Sequence, residues 1–179
     1  MGRLELIVGP MFSGKTTKLL KLIDMYKDDI FVITHSFDTR YGTNKITNHN
    51  KQYYEANISC TNLMPLLNSE QLMNYKYIAI EEGQFFNDLH KFALYLVQKL
   101  DKHVFIAGLN GDYKMNPFKN IVNLISYADK TNILYAKCSY CDCDAPFTKR
   151  ITSSTKKILV GSNDLYKPCC RMHYDVETS

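Results

Sequence analysis

A parallel α/β sheet covered by helices on both faces, followed by a small zinc-binding unit, is the fold the sequence predicts. Three observations carry it. Short apolar runs alternate with segments whose apolar residues recur at helical spacing, the pattern of a parallel sheet buried on both sides. A glycine-bearing turn of the phosphate-binding type joins the first run to the first helical segment. Five of the six cysteines fall in the last quarter of the chain, where the character of the sequence changes.

Residues 4–8 form a short run with β-branched members and read as the first strand. Gly9 follows at once, and then a segment over 15–27 whose Leu19, Leu20, Leu22, Ile23 and Tyr26 mark one helical face. Residues 30–34 make a second buried strand, and 77–80 a third that ends on the two acids Glu81 and Glu82. A helix over 87–100 is predicted from Leu89, Phe92, Ala93, Leu96, Val97 and Leu100, and a fourth strand over 104–109. Residues 35–57 are polar, lack a period and read as a long loop, which in a compact domain is usually functional or disordered. Phe118, Ile121, Val122, Leu124 and Ile125 predict another helix within 115–127, starting near Asn116-Pro117 because proline suits a first helical turn. Residues 132–136 are a fifth strand candidate, after which Cys, Asp, Lys and Ser dominate.

A length of 179 residues, 45% hydrophobic and 22% charged, suits one good core plus an appendage rather than two large domains. The expected division is a nucleotide-binding α/β domain over 1–137 and a zinc-binding domain over 138–179. No apolar run approaches the roughly 18 residues of a membrane span. The start lacks the apolar stretch of a leader, so a soluble, cytoplasmic protein is expected. Myristoylation of Gly2 is set aside because the pattern requires Ser or Thr where Leu6 stands. The net charge of +4 is spread, with Lys149-Arg150 and Lys156-Lys157 the adjacent basic pairs, which argues against a nucleic-acid footprint. Only four arginines, Arg3, Arg40, Arg150 and Arg171, stand against 18 lysines, so their positions are informative for phosphate recognition.

Gly9-Pro10-Met11-Phe12-Ser13-Gly14-Lys15-Thr16 fits G-x-x-x-x-G-K-[ST] without a mismatch. Glycines let successive N–H groups turn inward around a phosphate, Lys15 neutralises the terminal oxygens, and the Thr16 hydroxyl ligates Mg²⁺. The following helix adds its N-terminal dipole. Such a loop works with an acid on a neighbouring strand, and Glu81 and Glu82 supply two. Adjacent residues at a strand end point to opposite sides. One acid is therefore expected to face Mg²⁺ and the other to take a proton from an attacking hydroxyl or water.

Cys138-Ser139-Tyr140-Cys141 and Cys170-Arg171-Met172-His173 form a CxxC and a CxxH, each able to place two ligands on one tight turn. Together they suit a closed, structural Zn²⁺ site. Cys143 and Cys169 compete as ligands but have no x-x partner of the right kind. His35, His49, His90 and His103 carry no second signal and are given no role.

The strings themselves resemble a family. Residues 9–15, Asp38-Thr39-Arg40-Tyr41, Glu82-Gly83-Gln84-Phe85-Phe86, Pro117-Phe118 with Asn123-Leu124, Thr148-Lys149-Arg150 and Cys170-Arg171 resemble type II thymidine kinases, the cellular and poxviral kind. The match runs in order over about 4–174, and the short tails resemble the viral form most. This resemblance implies transfer of the γ-phosphoryl of ATP to the 5′-hydroxyl of thymidine, with Mg²⁺ as cofactor and a zinc unit whose lasso loop covers the base.

It further implies that Glu82 is the proton acceptor, that Glu81 stands where relatives have Asp on the metal side, and that Asp38 and Arg40 serve phosphate and magnesium. Substrate contacts are implied for Met11 and Leu109 around the 5-methyl group and for Tyr113, in place of Phe, over the base. Others fall to Gln84, Phe85, Phe118, Thr148 and Arg150, to the main chain of Lys157, Ile158, Leu159, Val160 and Gly161, and to Tyr166 near the sugar. A main-chain N–H aimed at O4 of thymine would reject cytosine, whose N4 is a donor. Asn110 replaces a usual Asp, His173 a usual Cys, and Ser162 a frequent second Gly. A homotetramer, feedback inhibition by the triphosphate end product, and no nucleic-acid or membrane partner complete the expectation. The alternative is a nucleic-acid-stimulated ATPase with the same phosphate loop and a zinc-ribbon module.

Overall fold

The structure, a computed structural model, describes residues 1–37, 44–48, 52–153 and 164–174. Six parallel strands form the central sheet in the order β5-β2-β6-β7-β1-β8. They are β1 (Arg3–Gly9), β2 (Ile30–His35), β5 (Ile58–Cys60), β6 (Tyr77–Ile80), β7 (His103–Leu109) and β8 (Lys130–Ile133). Between β2 and β5 lies an antiparallel hairpin of β3 (Lys45–Thr47) and β4 (Tyr53–Glu55). The longer helices are α1 (Lys15–Met25) and α3 (Leu89–Gln98), joined by the single turns α2 (Glu70–Met73) and α4 (Lys119–Val122).

Alternation within the strands decides which helix covers which face. Leu4, Leu6 and Val8 of β1 point one way and Ile7 the other, since successive side chains on a strand face opposite sides. The first face adds Phe31, Ile33, Ile78, Ile80, Val104 and Ile106, and receives Leu89, Phe92, Ala93 and Leu96 of α3. On the second, Ile7, Ile30, Val32, Ala79, Phe105 and Ala107 meet Leu19 and Ile23 of α1 and Ile46 of the hairpin. Each large side chain so buried contributes about 1.5–3 kcal/mol. The parallel register brings the carboxyl ends of the strands to one rim, with Gly9 opposite Leu109, Ile80 opposite Ile106, and Ile33 opposite Ile80. In open α/β sheets that rim is where ligands bind.

The C-terminal unit is built differently. β9 (Ala136–Lys137) pairs with β10 (Asp144–Ala145), β11 (Phe147–Arg150) pairs with β12 (Tyr166–Cys169), and the turn α5 (Arg171–Tyr174) follows. Its core is Ala136, Cys138, Ala145, Cys169 and Cys170, against which Phe12, Cys141, Phe147 and Tyr174 pack.

Three expectations are corrected. The helix over 115–127 shrinks to α4 and a 3₁₀ turn at Ile125–Tyr127. At its start Asp112 Oδ1 accepts from the N–H groups of Lys114 and Asn116, both at 2.9 Å, and Gly111 bridges to Pro117, so the chain is held as a turn up to that point. Beyond Val122 the N–H groups of Leu124 and Tyr127 reach back only three residues, to Ile121 and Leu124, and the segment continues as tight turns rather than α-helix. The fifth strand lies at Lys130–Ile133, earlier than 132–136, because the chain leaves the sheet after the Leu134 N–H bonds the Val8 oxygen at 2.8 Å. The loop over 35–57 contains the β3–β4 hairpin, whose three-residue strands are too short to show a period.

Candidate active site and metal cluster

The turn after β1 is shaped by what surrounds it. A side chain at Gly9 would place its Cβ 2.3 Å from the Leu134 carbonyl oxygen and 2.9 Å from Ser13 Oγ, so only glycine fits. Gly14 takes a left-handed conformation, φ +84°, at the N-cap of α1. Ser13 Oγ and Lys15 Nζ both donate to the Pro10 oxygen, at 2.9 and 2.6 Å, which lays the lysine across its own loop. The first intrahelical bond runs from Lys18 N–H to the Gly14 oxygen at 3.0 Å. The turn before it therefore presents the positive end of the helix to the rim.

Strand β6 delivers the two acids to the same rim. Glu81 is buried, its N–H donates to the Ile33 oxygen at 2.9 Å, and its Oε1 accepts the Thr16 hydroxyl at 2.6 Å. The hydroxyl and the carboxylate expected on the metal side thus touch, despite the extra methylene that Glu carries over Asp. Glu82 is separated from it by a turn, not by strand alternation: β6 has already ended, and Glu82 is left-handed at φ 55°, ψ 39°. Its Oε2 accepts from Gln84 Nε2, while Gln84 Oε1 accepts the Leu109 N–H at 3.0 Å.

A second group of expected residues meets across the junction with the C-terminal unit. The Met11 N–H donates to Thr148 Oγ1 at 2.9 Å. The Arg150 guanidinium lies 3.7 Å from the centre of the Tyr113 ring and donates from Nη2 to the Tyr166 hydroxyl at 2.7 Å. Buried stacking of this kind is worth about 2 kcal/mol or more. Tyr174 Oη donates to the Tyr113 carbonyl oxygen, which ties the backbone under that ring to α5. Leu109 ends β7 beside Gly9. Phe85 turns toward the end of β2, its ring 5.6 Å from His35 and 5.4 Å from Phe37, and the Phe118 oxygen accepts the N–H groups of Ile121 and Val122 in α4.

The four predicted metal ligands converge. Cys138, Cys141, Cys170 and His173 offer donor atoms all within 4.8 Å of one another. Cys141 Sγ lies 3.8 Å from Cys170 Sγ, and His173 Nδ1 lies 3.8, 3.6 and 3.2 Å from the sulfurs of Cys138, Cys141 and Cys170. A tetrahedron with Zn–S bonds of about 2.3 Å has edges of about 3.8 Å, so the donor set fits Zn²⁺. Burial pushes the Cys138 thiol up, but hydrogen bonds from the backbone of Cys170, Tyr140 and Cys141 outweigh it and bring the group down to about 6. A thiolate is the form a metal takes. Cys143, exposed, and Cys169, buried, stand outside the cluster.

Asp38, Arg40, Lys157, Ile158, Leu159, Val160, Gly161, Ser162 and His49 lie outside the described residues. Some contacts had no sequence signal. Tyr174 and Gln84 bond backbone groups, and Asn48, buried in the hairpin, donates from Nδ2 to Thr17 Oγ1 at 3.2 Å, next to Thr16. His35 is a buried, satisfied histidine, Nδ1 accepting the Phe37 N–H at 3.0 Å, and burial holds it below its ordinary value.

Comparison with known proteins places these observations in a family. The family model described as thymidine kinase matches residues 2–174. The thymidine kinase of vaccinia virus (strain Western Reserve) is 38% identical over 176 residues, covering 97% of this chain and 97% of that protein. That of Amsacta moorei entomopoxvirus is 40% identical over 182 residues, with 96% and 97% covered. That of Oryza sativa subsp. japonica is 37% identical over 179 residues, and the match covers 97% of this chain but 66% of the rice protein.

Proposed function

The chain belongs to the thymidine kinase family, a phosphotransferase acting on thymidine, and from that premise we propose how its own residues perform the transfer. The carrying observation is the rim of the sheet, where Thr16 meets Glu81 and Glu82 stands one residue on, turned to a different partner. Gly9, Pro10, Met11, Phe12, Ser13 and Gly14 form the loop that cradles the phosphates of ATP. Lys15 exchanges the Pro10 oxygen for phosphate oxygens when ATP enters. Thr16 and Glu81 would hold Mg²⁺, which neutralises charge on the phosphates when bound. Asp38 and Arg40 are assigned to the same phosphates from the resemblance.

Glu82 accepts the proton of the 5′-hydroxyl of thymidine as that oxygen attacks the γ-phosphorus. The bond to the β–γ bridging oxygen breaks, leaving ADP and thymidine monophosphate. Positioning and electrostatics carry such a transfer, and a well-placed base contributes typically 10²–10⁴-fold. The base is held by the main chain of 157–161, with Met11, Leu109, Tyr113, Phe118 and Thr148 around it, and Arg150 fixes Tyr113 and Tyr166 toward the nucleoside. The resemblance alone assigns Gln84 and Phe85 to the same pocket. Cys138, Cys141, Cys170 and His173 hold a structural Zn²⁺ that fixes the two ends of the segment between them. The division at 137/138, a cytoplasmic homotetramer and end-product inhibition by the triphosphate belong to the same reading, and no helix among the described residues is long and apolar enough to cross a membrane.

Transfer of labelled γ-phosphate from ATP to thymidine, deoxyuridine, deoxycytidine and deoxyguanosine tests the reaction, with product expected on the first two. Glu82→Gln is expected to keep ATP binding and lose about 10²-fold or more in turnover. Unchanged turnover in that variant removes Glu82 from its role. The alternative of a nucleic-acid-stimulated ATPase is not favoured by the family match, and phosphate release only in the presence of DNA would revive it.

A further inference from the structure

We infer that Gln84 is a positioning residue for Glu82: its side-chain amide is a rigid link that aims the carboxylate from the end of β7, rather than a contact to substrate. The inference rests on the reading of Glu82 as proton acceptor. Gln84 is only 3% exposed, and both ends of its amide are used inside the protein. The Leu109 N–H can only donate, so the atom 3.0 Å from it must be Oε1, and the amide orientation follows. Nε2 is then left facing Glu82 Oε2, which it meets in a close hydrogen bond.

The surroundings hold the amide from the other sides as well. Asn120 Nδ2 donates to the Gln84 backbone oxygen at 3.3 Å. Gly108 leaves the space that Oε1 occupies, since a Cβ there would stand 2.8 Å from it and 2.7 Å from Ile121 Cδ1. Glu82 itself sits in a left-handed backbone conformation that most non-glycine residues avoid, and the strand has ended before it. Gln84 is the link that carries β7 to this side chain. The other acid, Glu81, points to Thr16 and does not share this partner.

Two substitutions separate anchoring from aiming. In Gln84→Glu one carboxylate oxygen still accepts the Leu109 N–H, so the anchor to β7 is kept, while the other oxygen faces Glu82 as a second acid. Two carboxyl groups in contact share a proton. Turnover is expected to fall about 10- to 100-fold near neutral pH and to fall further as pH rises, because loss of the shared proton leaves two carboxylates that repel and no donor to aim Glu82, with KM for thymidine within about 3-fold of the parent. In Gln84→Leu both links are lost, and a similar fall without that further decline at high pH is expected. In a Glu82→Gln background, Gln84→Leu is expected to add little further loss, since residues acting as a unit are not additive.

A rise in KM with turnover unchanged would overturn the inference and return Gln84 to direct substrate contact. So would additive losses in the double variant, or Gln84→Glu turnover that recovers to the parent value as pH rises. Should Gln84→Leu fail to fold, the pH response of Gln84→Glu decides alone; should neither fold, Gln84 is a structural residue and the inference is lost. If Glu82→Gln alone leaves turnover intact, the reading of Glu82 fails, whatever Gln84 does.

Discussion

The rim of the sheet and the metal cluster hold their side chains in place by opposite means. At the rim, Glu81, Gln84 and Thr16 sit on strand and helix ends whose positions are set by two apolar layers, one through α3 and one through α1. The C-terminal unit has a buried cluster of five residues, three of them cysteines, under two-stranded sheets and a single helical turn. So small a core leaves much of the conformational entropy of ordering the segment to be offset by other means, and the donor atoms of Cys138, Cys141, Cys170 and His173 stand where a metal ion would supply it. A sheet end can present reactive groups with little effect on the fold. A Cys/His cluster of this kind would commit its reactive groups to folding.

The sharpest way to break that contrast is Cys170→Ser. Structural zinc is worth an apparent 10–16 kcal/mol in small domains, so one lost ligand should empty the site and unfold residues 138–174 locally. Hydrogen exchange is expected to show lost protection there, with β6 and β7 still protected and ATP still bound, while thymidine phosphorylation disappears. Loss of protection across the central sheet as well would mean that the two regions fold as one.

Smaller and more pointed is Thr148→Val, which cuts the hydrogen bond that joins the regions at Met11. Leaving the Met11 N–H unpaired costs about 1–3 kcal/mol. Catalytic efficiency on thymidine, kcat/KM, is expected to drop about 10-fold with zinc content unchanged; an unaltered value would show that the junction needs no such tie.

The smallest effect concerns the frame at the end of β2. Burial holds His35 below its ordinary 6.5, so the folded protein favours the neutral ring while the unfolded chain binds a proton near 6.5. Stability contributed by His35 is therefore present above that value and is lost as pH falls through it toward the lower folded value. Protonation at Nδ1 would also take the acceptor from the Phe37 N–H. Urea unfolding of His35→Gln is expected to show a flatter loss of stability on acidification than the parent, and equal slopes would dismiss the idea.

What the sequence revealed and concealed follows the same division. The first strand, its turn and α1 were legible because Leu4, Leu6, Val8 and then Leu19 and Ile23 change from a period of two to one of helical spacing around an unbroken loop motif. The clustering of Cys138, Cys141, Cys170 and His173 was legible because a metal site would dictate their spacing, and their donor atoms do lie together. The hairpin was hidden by the shortness of its strands, and the helix expected after Pro117 gives way to 3₁₀-type bonds at Leu124 and Tyr127 that no period reports. Gln84, Tyr174 and Thr148 each bond a backbone group of a distant residue, Leu109, Tyr113 and Met11, and such partners leave no trace in residue type.

Gly108 has a consequence beyond its own position. The gap it leaves in β7 is filled from one side by the Gln84 amide and from the other by Ile121. A methyl at this position claims the same volume as the ends of the Gln84 and Ile121 side chains, so Gly108→Ala is tolerated only if one or both of them move aside. Along any series of substitutions the three positions therefore act as one coupled unit rather than as independent sites.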